Sequence, residues 1–230
     1  MSALGTPHLH LRATASTSDR ARALAQAGAT HGTLVTAREQ TAGRGRQGRT
    51  WSAPAGSALL MSLVLREPPD LLPLAAGVAV ARVCGDGARI KWPNDVLLDD
   101  RKVAGILAEG RPQEGWAVLG IGVNVALDVA DLPPELHATA ATLGLRPGDI
   151  ADVRDRLLRE LEVALALDDA ALLGAYRDRD ALRGRPIRWA AGSGVAGGID
   201  GAGRLVVELD GGGRTELEAG EVHLLPAPRG

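Results

Sequence analysis

The chain has 230 residues, 45% of them hydrophobic and 23% charged, with a formal net charge of -2. That length can bury a substantial core, and the balance is that of an ordinary globular chain, which excludes the disordered and fibrous classes. The single cysteine, Cys84, excludes an intrachain disulfide or a cysteine zinc cluster; the small charge gives no global pull towards nucleic acid or anionic membrane, and with neither an export signal nor a long apolar run the expectation is a cytoplasmic protein.

From the amino end, His8 and His10 fall in a segment expected to fray, and Ser16-Thr17-Ser18-Asp19 reads as a capping stretch before a short helix, Ala21 to Ala27, closed by Gly28. Gly32 to Ala37 reads as a strand. Glu39 to Gly56 has several glycines and arginines and no apolar period, so it reads as a long loop of the kind that usually carries function. Its centre, Gly43-Arg44-Gly45-Arg46-Gln47-Gly48-Arg49, satisfies the spacing G-x-G-x-x-G, but no helix opens at Thr50-Trp51-Ser52-Ala53-Pro54. Glycines let backbone amides close over a ligand and guanidinium groups pair with phosphate oxygens, so the segment reads as a mobile phosphate clamp. A solvated Arg-Gly surface loop is one alternative. An RNA-binding patch is another, with only Trp51 to stack on a base.

Ala58 to Leu65 reads as a buried strand and Leu71 to Cys84 as a largely buried helix. Four short strands follow, Arg89 to Trp92, Val96 to Asp99, Val103 to Ala108 and Trp116 to Val125, an arrangement that predicts hairpins and meanders. Between the first two, Lys91-Trp92-Pro93-Asn94-Asp95 holds a cation, an amide and a carboxylate around a proline bend, where a purely structural turn is the competing reading and Trp92 reads as packing. Lys102 stands at the mouth of the third strand, whose Gly105 permits close backbone approach, and is otherwise an exposed turn lysine. Gly120-Ile121-Gly122-Val123-Asn124 again exposes backbone and ends in a carboxamide. Of 26 basic residues only Lys91 and Lys102 are lysine, and Asn94 and Asn124 are the only asparagines. A bias that replaces Lys by Arg and removes Asn wherever chemistry permits would leave these four where a compact ammonium or a carboxamide is required; accident is the other explanation.

Ala151 to Leu167 is an amphipathic helix with Val153, Leu157, Leu158, Leu161 and Leu165 on one face, and Ala170 to Leu182 reads as a second helix. Past Gly184 short apolar strands split by glycine turns predict a small β-barrel, with the boundary near Asp180 to Gly184. The histidines, His8, His10, His31, His137 and His223, show no metal-ligand spacing, no metal site is expected in the protein itself, and no Ser-His-Asp arrangement is supported.

Four motifs taken in order, Gly43 to Arg49, Lys91 to Asp95, Arg101 to Leu107 and Gly120 to Val125, resemble those of the biotin protein ligases, a resemblance that covers roughly residues 12–226. It implies an α/β (α+β) fold: a catalytic domain of the biotin/lipoate ligase type on a mixed sheet, residues 1–182, and an SH3-like C-terminal barrel, residues 183–230, ending in Gly220-Glu221-Val222. The implied activity is formation of biotinyl-AMP from biotin and ATP, with Mg2+, followed by transfer to a lysine of a biotin carboxyl carrier protein. Lys102 and Arg46 are the implied catalytic residues. The implied substrate-binding set is Ser16, Thr17 and Gln40 at the biotin ureido ring, Gly43, Arg44 and Arg46 in the loop that closes over the adenylate, Lys102 at the biotin carboxylate and α-phosphate, and Gly105 and Gly122, with Arg49, Trp51, Lys91, Asn94, Asp95 and Asn124 on the nucleotide side. The chain departs from the family pattern in reading Ala15-Ser16-Thr17-Ser18 where Asp-Ser-Thr-Asn is usual, and in Gln47 where Arg is common. Few residues precede the catalytic part, so no DNA-binding domain is expected, and homodimers are frequent among relatives. A lipoate-type ligase, a nucleic-acid-binding module built on the arginine loop, and an inactive regulatory homologue are the rival readings.

Overall fold

The computed structural model describes residues 4–111, 114–218 and 220–225. The outermost ends of the two expected domains, residues 1–3 and 226–230, lie outside the described residues. The chain opens with β1 (His8–Leu11), α1 (Thr17–Gln26) and β2 (Leu34–Ala37), makes a small hairpin of β3 (Gly43–Arg44) and β4 (Thr50–Trp51), and continues through β5 (Ala58–Arg66) into α2 (Leu72–Cys84). A meander follows: β6 (Arg89–Lys91), β7 (Asp95–Leu98), β8 (Arg101–Arg111) and β9 (Trp116–Asn124). After α3 (Ile150–Leu165) and α4 (Asp169–Arg177) come β10 (Pro186–Trp189), β11 (Gly192–Ile199), β12 (Leu205–Leu209), β13 (Arg214–Leu217) and β14 (His223–Leu224).

The main sheet has the order β1-β2-β5-β9-β8-β7-β6, with β1 and β2 parallel and the remaining neighbours antiparallel. Alternation along its two central strands decides what each face does. Leu59, Met61, Leu63 and Leu65 of β5, with Ala117, Leu119, Ile121 and Val123 of β9, point into the main core beneath α2 and α3. Helix α2 is apolar nearly all round, which suits a helix held between the sheet, α3 and α4; α3 buries Val153, Leu157, Leu161 and Ala164 and leaves its charged face to water. Each fully buried leucine there contributes about 1.5–3 kcal/mol.

On the opposite face Val64, Trp116 and Val118 pack against Ala21 and Ala25 of α1, but the helix covers only that end. Further along the same face the strands carry Ser62 opposite Gly120 and Gly105 opposite Gly122. Helix α1 starts at Ser16, whose hydroxyl accepts from the Ser18 backbone N–H, and stops where Gly28 takes φ +86°. The uncovered stretch of sheet in front of that helix start is the floor of the candidate site.

Two expectations need correction. His8 and His10 lie in an ordered edge strand, both rings hydrogen-bonded to the Thr36 hydroxyl at 2.8 Å, because parallel pairing with β2 supplies the partners that a free end lacks. The second C-terminal helix ends at Arg177, short of Leu182, because the chain there turns extended to pair with β6: Ile90 N–H donates to Arg179 O and Ala181 N–H to Ile90 O. The glycine-punctuated C-terminal strands form a five-stranded antiparallel sheet, β13-β12-β11-β10-β14, consistent with the expected SH3-like part; among the described residues no ladder joins β13 to β14. Its Leu182, Ile187, Ala196, Ile199, Leu205 and Val207 belong to the same apolar core as α2. No helix among the described residues is long and apolar enough to cross a membrane.

Candidate active site

A cavity of about 500 Å³ opens over the uncovered face of the main sheet, and every site residue expected from the sequence lines it except Gly43. Its floor needs glycine. A Cβ on Gly122 would stand 2.5 Å from Trp51 Cε2, one on Gly105 2.8 Å from Trp51 Cζ3, and one on Gly120 2.6 Å from Ser18 Oγ. Gly43 lies just behind, where a Cβ would meet the Trp51 carbonyl at 2.4 Å.

One end is polar and closed. Thr17 donates to Gln40 Oε1 from its backbone N–H at 2.7 Å and from its hydroxyl at 2.9 Å, which leaves the Gln40 Nε2 group as the donor end of that side chain. Ser62 Oγ donates to Thr17 Oγ1 at 2.8 Å and lies 3.1 Å from Ser18 Oγ. Ser16, Thr17, Ser18 and Ser62 are all buried, so water is already excluded from this cluster and each hydroxyl is oriented by a neighbour.

The other end is cationic. Lys102 Nζ lies 2.7 Å from Asp95 Oδ1, in ion-pair contact but outside hydrogen-bond geometry, and 5.6 Å from the centre of the Trp51 ring. Arg46 donates to Asn94 Oδ1 at 3.3 Å, and Asn94 Nδ2 in turn donates to Ile106 O at 3.1 Å. Burial lowers the pKa of both Arg46 and Lys91, with Asp95 opposing the shift in each. Lys91, Lys102 and Arg46 thus share one inward carboxylate, Asp95, and the partly desolvated excess of positive charge suits a polyanion.

The Gly-Arg segment, read from sequence as part of a long loop, contains a short hairpin: Gly45 N–H donates to Arg49 O at 2.7 Å, and Gln47 and Gly48 turn the chain with φ +54° and +75°. Its arginines act separately. Arg44 binds Asp19 Oδ1 at 2.8 Å and Glu109 Oε1 at 2.9 Å, Arg46 faces the cavity, and Arg49 pairs with Glu221 in the C-terminal segment. Burial pushes the Glu221 carboxyl up, but the hydrogen bond and charge of Arg49, with His223 and Lys91, outweigh it and hold the group below its ordinary value.

Asn124 is buried and donates from Nδ2 to Ala141 O at 2.8 Å, beside the point where Lys102 N–H donates to Thr139 O and Ala141 N–H to Lys102 O. Its carboxamide therefore builds the wall that holds Lys102. Trp92 is packing, as read: it is buried, and its indole N–H donates to Gly203 O at 3.0 Å. Sequence reasoning missed Ser62, although a hydroxyl inside the apolar run Ala58 to Leu65 was a signal. It also missed Arg22 and Glu109, for which no local signal existed. Among the described residues no group of three His, Cys, Asp or Glu side chains could hold a metal ion. Asp95 offers a single carboxylate, which fits Mg2+ only when substrate phosphates and water supply the other ligands.

Residues 11–126 match the biotin/lipoate A/B protein ligase family. The chain is 40% identical over 151 residues to the bifunctional ligase/repressor BirA of Bacillus subtilis, a match covering 60% of this chain and 46% of that one, so it spans about half the length of that relative. It is 36% identical over 213 residues to the biotin–[acetyl-CoA-carboxylase] ligase of Mycobacterium tuberculosis, covering 83% of this chain and 78% of the relative. The biotin protein ligase of Aquifex aeolicus in complex with biotin and ATP superposes with a TM-score of 0.81 at 27% identity, covering 96% of this chain and all of the other. The chain belongs to the biotin/lipoate A/B protein ligase family.

Proposed function

We propose that the chain is a biotin protein ligase, which converts biotin and ATP to biotinyl-5'-AMP and pyrophosphate and then passes biotin to a lysine of a biotin carboxyl carrier domain. The observation that carries this reading is one cavity with a closed Ser/Thr/Gln end, a glycine floor and a cationic far end. Thr17, Ser16 and Gln40 suit the donors and acceptor of a ureido ring, and the Trp51 indole, lying directly on Gly105 and Gly122, offers an apolar flank for an aliphatic tail. Lys102 and Arg46 stand where the tail's carboxylate would meet an α-phosphate, with Arg49, Trp51, Lys91, Asn94, Asp95 and Asn124 around the nucleotide.

In the first step a carboxylate oxygen attacks the α-phosphorus and the bond to the bridging oxygen breaks, releasing pyrophosphate. Two anions must approach, so the barrier is electrostatic, and the fixed charges of Lys102 and Arg46 lower it. Mg2+ carried by the nucleotide would neutralise phosphate charge, with Asp95 as its one protein contact. The hairpin then keeps water from the mixed anhydride. In the second step the neutral carrier amine attacks the acyl carbon, the acyl–oxygen bond breaks with its electron pair leaving on AMP, and the proton released from nitrogen passes to solvent.

The test is ATP–pyrophosphate exchange with biotin and, separately, lipoate, followed by biotin transfer to a carrier domain. Biotin-dependent exchange is expected; exchange with lipoate alone, or salt-sensitive RNA binding without exchange, would replace the reading. It carries with it the division at residues 182/183 into a catalytic part and an SH3-like barrel, a cytoplasmic protein that binds no DNA, and a homodimer, which sedimentation with biotin and ATP checks.

A further inference from the structure

Four partly exposed side chains outside the cationic end form a closed ring of ion pairs. Arg22 reaches Asp19 Oδ1 at 3.0 Å and Glu109 Oε2 at 2.6 Å; Arg44 reaches the same Asp19 Oδ1 at 2.8 Å and the other Glu109 oxygen, Oε1, at 2.9 Å. Asp19 and Arg22 sit on consecutive turns of α1, Glu109 is on β8, and only Arg44 comes from the hairpin. We propose that Asp19, Arg22 and Glu109 are positioning residues: a preformed dock, with a net charge of one negative, that holds the Gly-Arg hairpin closed through Arg44.

The charge balance makes this a latch and not a rigid brace. Without Arg44, Arg22 still bridges both carboxylates, so α1 and β8 stay joined and the receptor survives opening. When Arg44 returns it neutralises the ring and makes two contacts at once. Side-chain exposures of 25–46% keep each contact weak, as a flap that must open for substrate requires. Arg44 is adjacent in the chain to Gly43 and pairs with Thr50 across the hairpin, next to Trp51 on the glycine floor, so releasing it frees the edge that covers the site.

Whether the hairpin is latched can be read without substrate; what the latch does rests on the function proposed above. Tryptic cleavage after Arg46 and Arg49, followed by mass spectrometry on the full chain, reports opening. Glu109→Gln, Asp19→Asn and Arg44→Met should each speed cleavage about fivefold at low salt, and Arg44→Met with Glu109→Gln should be no faster than either alone. Raising salt to about 0.5 M should speed cleavage of the parent more than of the variants. In the enzyme assay Glu109→Gln and Asp19→Asn should shorten retention of the adenylate and leave the KM for ATP unchanged. Additive cleavage rates, or rates equal to the parent in both Glu109→Gln and Asp19→Asn, would overturn the latch. A parent that forms no biotinyl-adenylate would overturn the proposed activity while the cleavage series still decided the latch.

Discussion

Replacing Gly122 with alanine asks whether the flap or the sheet yields when the floor is raised. Backbone strain is not the issue, since Gly122 does not have a positive φ. The new methyl would stand 2.5, 2.7 and 2.9 Å from Trp51 Cε2, Cζ2 and Nε1, so the indole must withdraw by about 1 Å to reach ordinary carbon contact distance. If β9 moved, a strand paired on both sides would have to shift within a packed core, at about 1–3 kcal/mol. If the hairpin moved, it would loosen partly exposed ion pairs worth about 0.2–1 kcal/mol each and weaken the Lys102 contact with the indole face, worth about 0.5–1 kcal/mol. The second route is the cheaper or equal one, so the flap lifts. Urea denaturation should show a loss of about 1–2 kcal/mol, while the half-life of bound biotinyl-AMP in a quenched single-turnover assay should fall about tenfold, equivalent to about 1.4 kcal/mol of closure. In a Trp51→Ala background the substitution should change neither quantity. A loss of about 3 kcal/mol with normal adenylate retention would show that the sheet, not the hairpin, absorbs the methyl and would refute the reasoning.

Lys102→Ala should lower biotin-dependent pyrophosphate exchange by about 10²–10³-fold, on the scale of a lost oxyanion donor, and Lys102→Arg should not restore it, because a planar fork cannot replace a point charge in contact with Asp95. Asn124→Ala strips the Ala141 carbonyl of its buried donor and should cost about 1–3 kcal/mol in urea, with faster amide exchange at Thr139 to Ala141 as the local sign. Burial pushes the Asp180 carboxyl above its ordinary value, so the folded chain holds that proton after the unfolded chain has lost it. Its contribution to stability is therefore full at acid pH and is lost as pH climbs from the unfolded pKa through the folded one; Asp180→Asn should remove that loss and be the more stable chain at neutral pH, measured by denaturation across pH. Burial pushes the Cys84 thiol up to about 12, so a thiol reagent at pH 8 should label it only after unfolding.

The elements were legible wherever periodicity or punctuation was local. The apolar runs of β5 and α2 and the stripe of α3 lie within a residue or two of where they read, and the rarity of Lys91, Asn94, Lys102 and Asn124 pointed to one cavity wall. Side-chain direction was not legible. Arg44, Arg46 and Arg49 look equivalent in a string of Gly and Arg, yet one binds α1 and β8, one faces the cavity and one pairs with the C-terminal segment. Asn124 lines the cavity and also holds Ala141, a contact that the sequence did not show.

By itself the sequence determined what depends on neighbours in the chain: strands, helices, the glycine floor that no side chain can occupy, and the few compact cations. The tertiary structure alone decided which charges meet, because Asp19 and Glu109 stand 90 positions apart and become one receptor only when α1 is laid across the sheet. Pairing energy between charges falls off over a few ångströms of space and carries no trace in sequence spacing. The order of strands in the sheet, which puts Gly105 beside Gly122, had the same origin.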